Sequence, residues 1–251
     1  MSVFWAASAH AADLIFPPNC ALCAIPMQPG ESQTGGIHLC NRCINDITAS
    51  NSPACKRCAR PLPKGAQGDS GDCPNCRGKR LRFDRTYAIG VYGGILREAV
   101  LQMKQATGES LTLALGSLLG DHMSRHLSKP PDHIVAVPTH WTRRLGRNVN
   151  CAEILLESVT ARIGWRSSPK LLRCRRKTSK QGTLLPHERL ANVRGAYRVS
   201  TGYVISGANV LLIDDVMTTG ATANEIAKIL RRAGAARVEV AVVARGIGFD
   251  G

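Results

Sequence analysis

Four Cys-x-x-Cys pairs in the first third of the chain constrain its fold more than any other feature of the sequence. The pairs are Cys20/Cys23, Cys40/Cys43, Cys55/Cys58 and Cys73/Cys76. Each such turn places two thiolates on one side of a tight hairpin, and two turns supply the tetrahedron of donors that Zn²⁺ prefers. The gaps of 16 residues between Cys23 and Cys40 and 14 residues between Cys58 and Cys73 are close to those of zinc ribbons. The spacing therefore predicts two structural zinc sites and argues against a disulfide framework.

The spacing leaves open which thiols share a zinc ion. In the simplest, sequential arrangement the first four of these thiols form one site and the last four form the other, whereas an interleaved arrangement satisfies the same spacing. Both arrangements give closed sites with no open coordination position for catalysis. Residues 17–80 are rich in Cys, Pro and Gly and carry few periodic apolar residues, so this segment cannot bury enough surface to fold alone. We expect metal binding to supply the missing free energy, on the order of 10 kcal/mol or more for each site.

The chain is strongly basic. Its 251 residues include 33 Lys and Arg against 18 Asp and Glu, which gives a formal net charge of +15. Two zinc ions held by eight thiolates would together add about −4 and leave about +11. Such a surplus favours an anionic substrate or a polyanionic partner, although basic charge alone is not specific. Aromatic residues make up only 4% of the chain, so few rings are available to stack on nucleobases.

Composition changes near residue 80 and divides the chain into two predicted domains. Residues 1–80 would hold a short N-terminal helix and the zinc module, and residues 81–251 would form an α/β domain. The apolar segment 1–16 lacks a basic start and is short for a signal peptide, so we interpret it as the helix that leads into the first zinc site. No stretch is long enough to cross a membrane. We therefore expect a cytoplasmic protein without membrane insertion.

Apolar strands alternate with helical periodicities in the second part of the chain. Strands are predicted over residues 85–91, 134–137, 209–213 and 238–244. Helices are predicted over residues 95–103, from Ser110 as N-cap to about Leu127, from about Asn150 to Ile163, and over residues 222–233. Residues 170–189 carry many basic side chains and are predicted to form a mobile loop. The alternation predicts an α/β fold with a mostly parallel sheet flanked by helices.

The most informative segment joins a strand to a helix at residues 210–222, with the sequence VLLIDDVMTTGAT. The backbone N–H groups of residues 218–222, the threonine hydroxyls and the positive end of the following helix form a cradle for phosphate, and Gly220 allows close approach. Asp214 and Asp215 would repel phosphate, but they can accept hydrogen bonds from ribose 2′- and 3′-hydroxyls, directly or through Mg²⁺. The segment therefore predicts a site for a ribose 5-phosphate. Its structural alternative, a helix capped by Asp and Thr, accounts for one acid and one threonine only.

This segment resembles the phosphoribosyl pyrophosphate (PRPP) signature of type I phosphoribosyltransferases, and no Gly-Lys-Ser/Thr of a P-loop follows it. Three further segments resemble the ComF family: residues 135–140 (VAVPTH) with the arginines that follow, residues 150–153 (NCAE), and matches scattered over residues 178–197. The likeness covers nearly the whole chain and includes a double zinc ribbon. The chain departs from the family pattern at Asn148, Val149 and Cys151, where the family has Gly, Phe and Gln.

The resemblance implies a type I phosphoribosyltransferase-like fold and assigns roles to particular residues. The implied PRPP contacts, with the two aspartates also catalytic, are Asp214, Asp215, Val216, Met217, Thr218, Thr219, Gly220, Ala221 and Thr222. The implied pyrophosphate contacts are Thr139, His140, Arg143, Arg144 and Lys104. A solvated basic turn for the arginines, a packed loop histidine and a solvated helix end for the lysine stay open as alternatives. Residues 174–187, with Lys177, Thr178 and Gln181, resemble the flexible loop that closes over PRPP, and their cations could instead bind a nucleic-acid backbone.

The resemblance leaves two classes of function open. As a phosphoribosyltransferase, the protein would release pyrophosphate from C1 of the ribose with Mg²⁺ and transfer the sugar to a nitrogen acceptor that the sequence does not identify. As a non-catalytic protein on the same fold, it would contact single-stranded DNA or DNA-uptake proteins, since ComF relatives are associated with uptake of transforming DNA. A PRPP-sensing regulator would share the phosphate cradle without turnover. The sequence does not decide whether catalysis occurs.

Overall fold

A computed structural model of the chain shows an α/β unit that follows two cysteine clusters. The structure describes residues 18–27, 38–49, 53–63, 73–127, 129–140, 150–179 and 184–247. Its helices are α1 (Asn41–Thr48), α2 (Gly94–Met103), α3 (Glu109–Ser124), α4 (Cys151–Ile163), α5 (Pro186–Val193) and α6 (Ala221–Arg232). Its strands are β1 (Arg85–Val91), β2 (His133–Ala136), β3 (Leu172–Cys174), β4 (Tyr197–Val199), β5 (Asn209–Met217) and β6 (Arg237–Arg245). The predicted helix over residues 1–16 lies outside the described residues.

The main sheet contains four parallel strands in the order β1-β6-β5-β2. In its register Ile213 lies opposite both Ala136 of β2 and Ala241 of β6. The carboxyl ends of all four strands therefore meet at one edge, which is where ligands bind in open α/β sheets. The predicted mostly parallel sheet flanked by helices is confirmed.

The alternation of side chains along β5 divides the core into two layers. Leu211 and Ile213 point to the layer formed with α2, α3 and α4, whereas Val210 and Leu212 point to the layer formed with α6 and the β3-β4 hairpin. All four side chains are buried. Residues 210–213 of β5 form a continuous apolar run because neither face of this part of the strand meets water.

Helix α3 packs closely on α4 through a glycine. A Cβ atom added at Gly116 would lie 2.6 Å from the Cβ of Ser158. Ser117 and Ser158 share a hydrogen bond of 3.1 Å across the same contact. The prediction that Ser110 caps this helix is wrong, because the Gly108 carbonyl already accepts the first helical hydrogen bond, from the Thr112 amide. Ser110 consequently lies inside the first turn.

Two other local predictions are also wrong. Strand β5 does not end before the acidic pair but continues through it to Met217, and this section of the strand pairs with β6. Within residues 170–189, predicted to be a mobile loop, the chain forms β3 and the start of α5, and β3 pairs antiparallel with β4. Arg176 donates to the carbonyls of Asn192 and Arg194, so the segment after β3 is held against α5. Pairing between strands therefore outweighs the effect of the many basic side chains in this segment.

The two cysteine clusters contact different parts of the α/β unit. Leu39 and Ile47 of the first cluster region are almost fully buried and share one apolar core with Leu96 of α2. The second cluster joins β1 through polar contacts, since the Thr86 amide donates to the Lys56 carbonyl over 3.0 Å. Among the described residues, no helix has the length and apolar character that a membrane crossing requires.

Candidate functional site

The eight paired cysteines gather into two clusters in sequential order. Within each cluster the Sγ atoms all lie within 4.8 Å of one another, and the clusters comprise Cys20, Cys23, Cys40 and Cys43, and Cys55, Cys58, Cys73 and Cys76. The Sγ–Sγ distances include 3.8 Å for Cys23–Cys40, 3.5 Å for Cys58–Cys73 and 3.9 Å for Cys55–Cys76. A tetrahedron with Zn–S bonds of about 2.3 Å has edges of about 3.8 Å, so both clusters fit zinc. The structure thus supports the sequential grouping and not the interleaved one.

The first turn of each cluster has the same backbone. Ala24 and Ala59 each lie four residues after the first cysteine of their cluster and adopt positive φ angles of 58° and 55°. Their amides donate to the carbonyls of Cys20 and Cys55. Burial and the neighbouring cysteines raise the pKa of the Cys43 and Cys76 thiols, so four thiolates need a cation among them. Zinc would supply that charge and hold each pair of turns together.

A separate cavity of about 450 Å³ opens at the carboxyl edge of the main sheet. Its walls come from the ends of β2 and β5, the start of α4, the start of α6 and the hairpin strand β4. The predicted site residues that line it are Lys104, Thr139, His140, Thr178, Asp214, Asp215, Val216, Met217, Thr218, Thr219, Gly220, Ala221 and Thr222. Arg143, Arg144 and Gln181 lie outside the described residues. Lys177 is exposed and is not part of the cavity wall.

An ion pair crosses the acidic side of the cavity. Lys104, at the C-terminal end of α2, places its Nζ atom 2.8 Å from the Oδ2 atom of Asp215. Burial acts to lower the pKa of Lys104, but the charge of Asp215 outweighs it and holds that pKa above its ordinary value. The lysine therefore stays protonated and neutralises part of the acidic pair.

The two aspartates differ in environment although they are adjacent in sequence. Asp214 accepts a hydrogen bond from the Asp215 amide, and Asp215 accepts one from the Val216 amide, over 2.9 Å and 2.7 Å respectively. Burial, and then the charge of Asp215, raise the pKa of Asp214 well above its usual range. Ionisation of Asp214 in the folded protein is therefore costly without a cation or hydroxyl group beside it.

An Asp214→Asn variant should be more stable than the parent protein at neutral pH. Because the folded-state pKa of this carboxyl is raised above its unfolded value, ionisation destabilises the fold as pH rises through the interval between the two values. Asparagine keeps the oxygen that accepts from the Asp215 amide and carries no charge. We expect the melting temperature at pH 7.5 to rise by about 2–4 °C, or about 1 kcal/mol for a protein of this size. The gain should vanish in acid, where the carboxyl is protonated in both states, and a gain that is equal at all pH values would contradict the assignment.

The loop between β5 and α6 has the geometry of an anion site. Gly220 precedes α6 with φ 76°, a left-handed conformation that favours glycine. Helix α6 starts at Ala221, so the amides of its first turn have no acceptor within the helix and its positive end faces the cavity wall. Thr219 is exposed, and its Oγ1 atom accepts a hydrogen bond of 3.3 Å from the Ala221 amide. The loop thus offers amides and hydroxyls to one small anion.

Three residues at the site had no role assigned from the sequence. Arg189 of α5 donates from Nη1 to the Thr218 hydroxyl oxygen over 2.7 Å, which leaves the hydroxyl proton free to point elsewhere. Asn150 lines the cavity, and among the described residues its Nδ2 atom is buried without a hydrogen-bond partner. Tyr197 of β4 also lines the cavity. For Arg189 the only sequence signal is its match to the ComF pattern, because it lies 29 residues before its partner.

The one cysteine in the cavity wall is not a candidate nucleophile. Cys151, the first residue of α4, donates its thiol to the Met103 carbonyl over 3.3 Å. Burial, followed by the charge of Asp215, raises the pKa of this thiol to about 11. It therefore remains protonated at neutral pH and is a poor nucleophile.

Comparison with known proteins covers both parts of the chain. Residues 11–79 match the double zinc ribbon domain, and residues 175–248 match the phosphoribosyl transferase domain. DNA utilization protein YhgH of Salmonella typhimurium is 29% identical over 231 residues, which cover 90% of this chain and 96% of the relative. Competence protein F of Haemophilus influenzae is 28% identical over 221 residues, which cover 84% of this chain and 94% of the relative.

Solved structures of phosphoribosyl-handling enzymes are also similar, at lower sequence identity. The glutamine PRPP amidotransferase of B. subtilis, determined with ADP and GMP, shows 19% identity and a TM-score of 0.39. That match covers 59% of this chain and 30% of the amidotransferase chain.

Proposed function

The chain belongs to the ComF family, in which a double zinc ribbon accompanies a phosphoribosyl transferase domain, and on this premise we propose that it binds PRPP in the cavity at the carboxyl edge of the sheet. One observation carries the proposal. The acidic pair at 214–215 and the phosphate loop at 218–222 open onto the same cavity, whose volume of about 450 Å³ lies within the range of small-molecule sites. A ligand that needs both anion donors and hydroxyl acceptors at this spacing is a ribose 5-phosphate.

Each part of PRPP has a counterpart among the residues of the cavity. The 5′-phosphate would accept from the amides of the loop and from the Thr218 hydroxyl, whose proton is free because Arg189 donates to its oxygen. The ribose hydroxyls would donate to Asp214 and Asp215. The pyrophosphate would lie toward Thr139 and His140, with Lys104 released from Asp215 to meet it. The buried Asn150 amide supplies a further donor on that side.

Magnesium is part of this proposal. Carboxylates at the end of β5 are oxygen ligands of the kind that Mg²⁺ prefers, and bound Mg²⁺ would offset their repulsion of the pyrophosphate. The residues of this chain do the remaining work of orienting the ribose and excluding water. We further propose transfer chemistry in which the C1–O bond to pyrophosphate breaks, a C1–N bond forms, and the acceptor nitrogen releases a proton. No protein nucleophile is required for this exchange.

The alternative proposal is that the protein binds nucleic acid in DNA uptake or utilization, as the names of its relatives suggest for them. Its support in this chain is a basic hairpin. Arg173 of β3 lies directly opposite Arg198 of β4, and both side chains are exposed. Like charges opposite each other destabilise a strand pair, so this arrangement favours an anion between or above them. Binding of single-stranded DNA that does not weaken as salt rises would contradict this alternative.

Calorimetric titration with PRPP and Mg²⁺ tests the proposed function. We expect an Asp215→Asn variant to bind PRPP about 10- to 100-fold more weakly, since a hydrogen bond to a charged acceptor contributes about 1.5–3 kcal/mol. Asp46→Asn is the matched control, because Asp46 lies on the solvent-exposed face of α1 in a 3.9 Å surface ion pair with Arg42. Equal affinities of the parent protein and Asp215→Asn would exclude the ribose assignment. Pyrophosphate release across a panel of nitrogen bases then separates an enzyme from a binding protein.

A further inference from the structure

A buried arginine joins the second cysteine cluster to the phosphate loop. Arg245, the last residue of β6, is only 3% exposed. Its Nε atom donates to the Cys58 carbonyl over 2.6 Å. Its Nη1 atom donates to the Met217 carbonyl over 2.8 Å and also to the carbonyls of Thr218 and Gly246. One guanidinium therefore holds four backbone carbonyls from three separate segments of the chain.

These carbonyls belong to the two functional parts of the molecule. Cys58 is a ligand of the second zinc site, while Met217 and Thr218 are the residues at which β5 leaves the sheet and becomes the phosphate loop. Gly246 packs tightly on the same loop, since an added Cβ atom there would lie 2.9 Å from the Cγ2 atom of Thr218. The conformation of the loop at its entry point therefore depends on where the Arg245 side chain is held.

In the part of the chain that the structure describes, no carboxylate pairs with Arg245. Its guanidinium donates to backbone carbonyls, and the Cys58 side chain is a further hydrogen-bond partner. An isolated buried cation is costly. A zinc ion with four thiolate ligands carries a net charge of about −2, and in this fold it would lie next to the segment that Arg245 contacts. An occupied second zinc site would therefore stabilise the arginine in its observed position.

We propose that Arg245 is a positioning residue through which zinc in the second cluster holds the phosphate loop in the conformation that receives a 5′-phosphate. This inference rests on the proposed function only for the identity of the ligand. It concerns the second cluster alone, because the first cluster packs on the apolar layer formed with α2 and not on the loop. Lysine cannot replace the arginine, since a single ammonium group does not reach acceptors on both sides of the planar guanidinium.

Hydrogen exchange of the full-length, zinc-loaded protein tests the coupling without any ligand. In Arg245→Lys and in Cys76→Ser we expect amides of residues 216–222 to exchange at least about ten times faster than in the parent protein. Arg231→Lys is the matched control, because Arg231 also donates to backbone carbonyls, those of Ala235 and Ala236, and its carboxylate partner is Asp84. Amides of α3 serve as the internal control for global unfolding. Zinc analysis should give two ions for Arg245→Lys and one for Cys76→Ser.

Several outcomes would overturn the proposal. Unchanged loop exchange in Cys76→Ser that has lost one zinc ion would show that the metal does not act on the loop. Equal acceleration in the loop and in α3 would show general destabilisation instead of a specific link. Should Cys76→Ser not fold, Arg245→Lys decides alone, because it keeps both zinc sites. A parallel titration with ribose 5-phosphate should show about tenfold weaker binding to Arg245→Lys than to the parent protein. If the parent protein does not bind this ligand, the proposed function is refuted. The exchange measurement still tests the coupling between zinc and the loop in that case.

Discussion

A Thr219→Glu variant is expected to bind ribose 5-phosphate about 1000-fold more weakly than the parent protein while its fold remains intact. The new carboxylate would lie among the amides that receive the phosphate. Two unit charges about 4 Å apart repel by about 4 kcal/mol at the effective dielectric constant of a protein surface, which corresponds to about three powers of ten in affinity. The substitution should not harm folding, because Thr219 is exposed and precedes the positive end of α6, where an acidic side chain is favourable.

This combination of lost binding and retained stability distinguishes a ligand site from a structural turn. Titration with ribose 5-phosphate measures the affinity, and thermal unfolding measures the stability. Thr219→Gln has nearly the same size without the charge and serves as the control, with an expected loss of no more than about tenfold from one hydroxyl. Equal affinities of the Glu and Gln variants would place the phosphate somewhere other than this loop.

Loss of the first zinc site is expected to destabilise the protein far more than loss of the second. A structural zinc site contributes on the order of 10 kcal/mol, which is comparable to the entire stability of a typical domain. In Cys43→Ser the helix α1 would lose its anchor, and with it the burial of Leu39 and Ile47 in the apolar core of the α/β unit. The four cysteines of the second site instead form their own small cluster, and among the described residues the apolar side chains partly buried against it are Leu62 and Leu81. Cys76→Ser should therefore keep a folded α/β core.

Zinc content, circular dichroism and melting temperature together measure this difference. We expect one bound zinc ion in each variant, but a cooperative melting transition of the α/β core only in Cys76→Ser. Cys174→Ser is the control, because Cys174 belongs to neither cluster and its thiol contacts the Arg176 carbonyl at the surface. Equal loss of stability in the two zinc-site variants would show that the apolar packing of α1 contributes little.

The ion pair of Lys104 and Asp215 links the stability of the protein to its proposed ligand. Without a ligand, the ammonium group offsets one of two adjacent carboxylates, and the other is kept from ionising by burial. Ribose hydroxyls and a cation would stabilise both carboxylates at once, so that Asp215 no longer needs the ammonium group and Asp214 is no longer kept from ionising. The acidic pair therefore lowers the stability of the ligand-free protein, and ligand binding removes this cost. For this reason Asp214→Asn should raise the stability and lower the affinity.

The sequence alone was sufficient to predict the elements whose structure depends on residues close together in the chain. The continuous apolar run before Asp214 predicts a strand buried on both faces, and Gly220 with the threonines around it predicts a phosphate-binding turn before a helix. The Cys-x-x-Cys spacing predicts two zinc sites because each turn needs only four residues to present two thiols. Errors arose where neighbours in space outweigh local character, as at the basic segment 170–189, where pairing with β4 forms a strand that charge alone would not favour.

Contacts between distant segments were decided only by the tertiary structure. The grouping of the thiols into sequential clusters depends on how the turns pack, which spacing does not encode. Arg245 meets Cys58 across 187 positions of sequence and Met217 across 28, and Arg189 meets Thr218 across 29. No periodicity links residues so far apart, because their proximity follows from the strand order β1-β6-β5-β2 and from the position of the second cluster on β1. The sequence alone determined which chemical groups the site contains, and the fold determined which of them meet.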